Sequence, residues 1–228
     1  MREIILDTET TGLDPSAGHR IVEIGAVELF NHIPTGRTYH AYINPERAMP
    51  SEAEAVHGLS AAFLRDKPIF SAILQSFQDF IADALLIIHN ASFDVGFLNA
   101  EFGYLGQPPI LPERVVDTLL LARQKHPSGS NSLDALCRRY GIDNSRRTKH
   151  GALLDSELLA EVYLELIGGR QTALKLAATA APARAAFDTV RTAGIRPRTL
   201  ISRLTQEDRE AHDKFVQELG AQALWKNA

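Results

Sequence analysis

Cysteine is almost missing: Cys137 is the only one in 228 residues, so the chain can form neither an internal disulfide nor a thiolate-built zinc site. In its setting, LDALCRRY, it reads as a small buried apolar residue. Long apolar runs are missing too. No stretch approaches the roughly 18 apolar residues of a membrane span. The first residues lead directly into the acidic segment Leu6-Asp7-Thr8-Glu9, with no leader-like apolar stretch before it. The expectation is a soluble, cytoplasmic protein. Positive charge is scarce where most of the chain lies: residues 1–168 carry a net −8 and residues 169–228 a net +4. An acidic body binds nucleic acid poorly on its own, because nonspecific affinity comes from cations displacing counterions at phosphates. Any contact with a polyanion must therefore be local and metal-assisted. What is present is apolar material, 45% of residues, enough for one full domain and too much for a disordered chain.

The opening reads as three strands. REIILDTE is an apolar run with polar ends, while RIVEIGAVELF and GRTYHAYIN alternate. The turn-rich segments GLDPSAGH and NHIPTG join them into an antiparallel meander. Strand and helix then alternate. FSAILQSFQDFIAD places Phe70, Ile73, Leu74, Phe77 and Ile81 at helical spacing, LLIIHN is a short buried strand, and ASFDVGFLNAEFGYLG is helical. VVDTLLLARQKH is a strand running into a helix, and NSLDALCRRYG and ALLDSELLAEVYLELIGG complete the body. The implied class is α/β, a mixed sheet covered by helices. Beyond Gly168-Gly169 the composition shifts to an Ala- and Pro-rich linker, flexible and partly helical. TQEDREAHDKFVQELGAQALW then reads as an amphipathic helix with Thr205 as N-cap, showing Phe215, Val216 and Leu219 on one side. It either packs back on the body or binds a partner.

Asp7 and Glu9 are two apart on a strand, so their carboxylates emerge on one face about 6.5 to 7 Å apart. Held together they repel unless a cation neutralises them, and hard oxygen donors select Mg²⁺ or Mn²⁺. A solvated turn is the plain alternative. Asp94 follows the LLIIHN strand in the first turns of a helix, where it suits a site at the sheet edge or a helix N-terminus. His150 and Asp155 are five apart, about 140° around a helix, so they cannot share a helical face. The useful arrangement has Asp155 inward on the helix and His150 swinging from the preceding loop. Together these pieces supply four carboxylates and one imidazole. Such acids hold two divalent ions about 3.5 to 4 Å apart for in-line phosphoryl displacement, and a histidine is suited to take the proton of the attacking water.

DTETTGL, HNASFD and HGALLD, in this order and at these intervals, resemble the three motifs of the DnaQ-like DEDDh family of 3'-5' exonucleases, over residues 1 to about 168. The resemblance implies a ribonuclease H-like mixed sheet flanked by helices. It implies Asp7, Glu9, Asp94 and Asp155 as holders of two Mg²⁺ or Mn²⁺ ions, with Asp94 acting partly through water, and His150 as general base. In INPERAMPSEAEAVHGLS, Glu52 and His57 match positions that contact the terminal nucleotide, and His89 is expected in the same pocket.

Within the family, NHIPTGRTYHAYINPER, VVDTLLLARQKHP, NSLDALCRRYGI and NSRRTKHGALLD resemble the proofreading subunits of bacterial DNA polymerase III. That likeness implies three parts. Residues 1–168 are the nuclease, and residues 169–198 are a clamp-binding peptide and linker. Residues 199–228 bind the polymerase's catalytic alpha subunit. Gln171, Leu174 and Leu176 resemble the Gln-x-x-Leu-x-(Phe/Leu) peptide that docks on the sliding clamp. Arg138, Arg139, Arg146, Arg147 and Lys149 form a local basic patch that either guides a single strand of DNA or is a solvated loop. With no aromatic-rich stacking surface nearby, affinity for a free 3' end is expected to be modest and the substrate delivered by partners. A free-standing RNA- or oligonucleotide-degrading exonuclease would share the motifs but have no need of residues 170–228. An inactive assembly module would have no need of the intact set of acids.

Overall fold

The computed structural model describes residues 1–147, 149–168 and 204–218. The chain divides into two units, Met1–Leu174 and Lys175–Ala228. In the first, β1 (Arg2–Thr10), β2 (Ile21–Phe30) and β3 (Ile33–Tyr42) form the expected antiparallel meander. β4 (Leu85–Ile88) and β5 (Val115–Asp117) add to it in parallel, giving one mixed sheet of order β3-β2-β1-β4-β5.

The second hairpin is tighter than its sequence suggests. Only Asn31 and His32 form the turn, with φ of 49° and 65°, the left-handed pair whose twist matches that of the flanking strands. Ile33 to Gly36, expected as loop, therefore belongs to β3. Pro34 is tolerated because β3 is an edge strand, where a missing amide breaks no ladder.

Two short helices, α1 (Ser51–His57) and α2 (Ala61–Leu64), fill the crossover from the meander. α3 (Phe70–Ile81) and α4 (Ala91–Tyr104) follow, and their Phe70, Phe77, Phe97 and Phe102 bury one face of the sheet with Ile4, Leu6 and Ile24. The opposite face is covered by α5 (Thr118–Lys125), α6 (Leu133–Tyr140) and α7 (Ala152–Leu166). There Leu159 and Tyr163 pack on Ile5, Val27 and Ile87. Cys137 is fully buried against Leu158 and Val162, as its apolar setting implies. Successive residues of β1 thus serve different layers, even numbers toward α3 and α4 and odd numbers toward α7.

The second unit contributes α8 (Gln206–Glu218), none of whose residues is buried. Thr205 caps it as expected: its Oγ1 accepts from the Asp208 amide (3.2 Å), and Asp208 Oδ2 accepts from the Thr205 amide (2.9 Å). Leu219, the linker and the proposed clamp residues Gln171, Leu174 and Leu176 lie outside the described residues. Among the described residues, no helix is long and apolar enough to cross a membrane.

Candidate active site

The parallel strands β1 and β4 end side by side, and the acids gather at their carboxyl ends. Asp7 and Glu9 leave β1 on the α7 side. Asp7 stands opposite Gly25 of β2 in the ladder. At Gly25 a Cβ would lie 2.1 Å from the backbone nitrogen of Leu153 and 2.2 Å from the carbonyl carbon of Ala152. The missing side chain lets the first turn of α7 rest directly on the sheet. Ser156 Oγ donates to the Gly25 carbonyl (2.9 Å) and fastens it there. This contact brings Asp155 beside the β1 acids.

Asp94 arrives from the other layer. Asn90, with φ of 63°, turns the chain out of β4, and its amide donates to Asp117 Oδ1 (3.2 Å). One turn into α4, Asp94 Oδ1 accepts from both the amide (2.9 Å) and the hydroxyl (2.7 Å) of Thr8. One oxygen is thereby committed to Thr8, the residue between the two β1 acids.

His150 precedes α7 and is half exposed, with Nδ1 3.3 Å from Asp155 Oδ2. Its amide donates to the Val56 carbonyl (3.3 Å), so this loop leans on the last turn of α1. Lys149 passes over Gly58, whose φ of 79° and lack of a Cβ make room for it.

Asp7, Glu9, Asp94, His150 and Asp155 line one cleft of about 940 Å³ together with His89. His89 is partly buried, with Nδ1 2.9 Å from Thr118 Oγ1, and burial holds its pKa below the usual value. Glu52 and His57 line an adjoining groove of about 610 Å³ instead, and Thr8, Glu9 and Phe93 border both. Glu52 is exposed; His57 is buried, its Nδ1 accepts from the Leu59 amide (3.0 Å), and burial lowers its pKa.

Two features escape a reading of the sequence. Thr8 is one. Arg147 is the other, since it stands in a run of exposed cations yet turns inward and is 8% exposed. The remaining cations have other settings: Arg139 donates to Ser130 and Asn131, and Arg146 is exposed, 3.8 Å from Glu157.

The electrostatics describe a site short of positive charge. Burial pushes Asp7 well above the usual carboxylate range, and Asp94, Glu9 and Asp155 push it further. Burial first, then Asp155, Glu23 and Asp94, push Glu9 up to about 8. Burial lifts Asp94 to about 7 against its bonds from Thr8. Asp155 is the exception. Burial works to raise it, but the neighbouring His150 and Arg147 side chains outweigh that and hold it below the usual value. Buried, mutually repelling oxygen donors fit hard divalent cations. Glu9, His150 and Asp155 each offer a ligand atom within 4.8 Å of the others.

A pH dependence follows. Glu9 and Asp94 titrate near 8 and 7 in the folded chain, so it keeps protons that an unfolded chain releases near pH 4. Metal-free stability must then fall as pH rises through that window. Asp155, with the opposite shift, matters only below it. Melting in EDTA should be highest near pH 5 and decline toward pH 8, about 2–4 °C for each kcal/mol lost, while excess Mg²⁺ flattens the profile. An EDTA melting temperature that climbs with pH would contradict this charge balance.

Comparison with known proteins agrees with this geometry. A model of the RNase_T exonuclease family matches residues 4–163. DNA polymerase III subunit epsilon of Rickettsia conorii is 50% identical over 219 residues, covering 95% of each chain. The subunit of the same name from Escherichia coli K12 is 42% identical over 239 residues, covering 99% of this chain and 97% of its own. Among solved structures, exonuclease X in complex with 5' overhanging duplex DNA aligns with TM-score 0.58 at 25% identity, over 72% of this chain and 90% of that one. The nuclease domain of 3'hExo, a DEDDh family member bound to rAMP, has the same fold, with TM-score 0.64 at 18% identity over 73% of this chain and 91% of its own.

Proposed function

The chain belongs to the exonuclease family, in its group of DNA polymerase III epsilon subunits, and from that premise we propose how its cleft removes mismatched 3'-terminal nucleotides. It is a 3'-5' exonuclease that acts with DNA polymerase III. The observation that carries the assignment of residues is the gathering of four carboxylates at one strand edge, Glu9, Asp94 and Asp155 buried and Asp7 partly so, with Asp7, Glu9 and Asp94 pushed upward in pKa.

In this reading Asp7, Glu9, Asp94 and Asp155 hold two divalent cations, Mg²⁺ or Mn²⁺. Bound there, the ions would supply Lewis acidity for hydrolysis of the terminal phosphodiester, with release of 5'-mononucleotides. The rest falls to the chain itself. Thr8 fixes the Asp94 carboxylate through two hydrogen bonds, so its free oxygen faces the cleft without a search over rotamers. His150, on a loop and half exposed, takes the proton of the attacking water. Glu52 and His57 hold the terminal nucleotide from the adjoining groove, and His89 lines the cleft beside it.

Residues 199–228 bind the alpha subunit, and Gln171, Leu174 and Leu176 bind the sliding clamp. Matches to the epsilon relatives over 95% and 99% of this chain support a replisome role in the bacterial cytoplasm over a free-standing RNA or oligonucleotide exonuclease. Two weak contacts on one chain raise the effective concentration of the nuclease at the primer end, which an acidic body cannot do by charge attraction.

The test is digestion of a primer-template with a 3' mismatch in Mg²⁺. His150→Ala should slow it roughly 10²- to 10⁴-fold, the usual worth of a general base, with an unchanged melting temperature because the ring is half exposed. Full speed in that variant at neutral pH would move the base elsewhere.

A further inference from the structure

We propose that Arg147 competes with a divalent ion for the Asp155 carboxylate, so that metal binding must displace its guanidinium. The inference rests on the metal-dependent reading above and adds a residue to it. The Arg147 guanidinium lies along the Asp155 carboxylate, with Nε donating to Oδ1 (2.5 Å) and Nη2 to Oδ2 (2.7 Å). The third nitrogen, Nη1, donates to Asp134 Oδ1 (2.8 Å) on α6, so the fork is anchored from two helices. At 8% and 4% exposure the pair has little water to screen it. A planar donor fork meeting both oxygens of a carboxylate is the strongest pairing such a group makes.

Asp155 is also one of the three groups, with Glu9 and His150, whose ligand atoms lie within 4.8 Å of one another. A guanidinium held on that carboxylate and a divalent ion bound to it are like charges at close range in a poorly screened pocket. Each weakens the other.

His150 adjoins the same contact: Arg147 Nη2 lies 2.7 Å from its Nδ1, so the guanidinium sits between the Asp155 carboxylate and the loop that carries the proposed base.

If the engaged form of Arg147 dominates, the apparent metal affinity is reduced by the fraction of chains in the open form. Removing the fork must then tighten metal binding. The experiment titrates the full-length chain with Mn²⁺ by calorimetry and melts it in EDTA and in saturating Mn²⁺. Arg147→Met, which keeps the apolar stem, should bind Mn²⁺ about tenfold tighter than the native chain. It should melt lower in EDTA, and that deficit should vanish in Mn²⁺. Asp134→Ala removes the second anchor but none of the proposed metal ligands, and should shift the affinity in the same direction by less. It decides the matter if Arg147→Met does not fold without metal. Unchanged or weaker Mn²⁺ binding in the variant that decides would overturn the proposal and reduce Arg147 to a support for Asp155. A native chain that binds no Mn²⁺ and cleaves equally well in EDTA would instead overturn the metal-dependent reading beneath it.

Discussion

Asp7→Ala is expected to lower the release of 3'-terminal nucleotides roughly 10³-fold or more while making the metal-free chain harder to melt. The two effects have one cause. Asp7 is partly buried beside Asp94, Glu9 and Asp155, and its carboxyl is pushed well upward by desolvation first and by those neighbours next. A charge in such a place costs folding energy, so its removal stabilises the chain at neutral pH when no metal is present. The same charge is what a metal ion would bind. Metal-ion stabilisation of transition-state charge amounts to several kcal/mol, and each 1.36 kcal/mol is a factor of ten in rate. Cleavage assays in Mg²⁺ and melting curves in EDTA read the two effects separately. Native cleavage by this variant, or a lower EDTA melting temperature, would show that Asp7 is structural.

Gly25→Ala should be nearly as damaging, although no side chain is lost. The added Cβ would stand 2.1 Å from the Leu153 nitrogen, a distance that backbone cannot accommodate without moving. The start of α7 must lift off the sheet, and the Ser156 bond to the Gly25 carbonyl stretches with it. Overpacking of this kind typically costs about 1–3 kcal/mol. The functional loss should be larger than the stability loss, because α7 carries Asp155, and a displacement of about 1 Å at a reacting centre can cost roughly 10²-fold. A folded Gly25→Ala chain with under a threefold loss of rate would mean that α7 is not registered on the sheet through this contact.

How much of this was open to the sequence depends on the range of the interaction involved. The Asp7 and Glu9 pairing follows from the two-residue period of a strand, and the inward position of Asp155 from its place between Leu154 and Leu158 on a helix. Both are local rules, and the structure places these residues accordingly. The β meander and the mixed sheet were legible for the same reason. Arg147 was not, because what turns it inward are carboxylates 13 residues before it and 8 after it, on different helices. Nothing in a run of cations marks one of them as buried. Gly25 looked like any small residue in an alternating strand, and its meaning lies in a helix more than a hundred residues away. α1 and α2 are seven and four residues long, too short for an apolar period to declare itself. The turn at Asn31-His32 was hidden because Pro34 and Gly36 suggested a longer loop, where an edge strand tolerates both.

The way α7 closes the site sets a timetable for a chain leaving the ribosome. The bond from Ser156 to Gly25 spans 131 residues, and the one from Tyr163 to Glu3 spans 160. Contacts this distant in sequence form late, since the entropy of closing the loop must be met first. The strand bearing Asp7 and Glu9 is made before α7, and more than four-fifths of the first unit separates it from Asp155. During that interval the nascent protein has acids but no assembled cleft. Until α7 is made the chain holds the β1 acids without the helix that completes their cleft, and a fragment ending before Ala152 is expected to be inert instead of partly active.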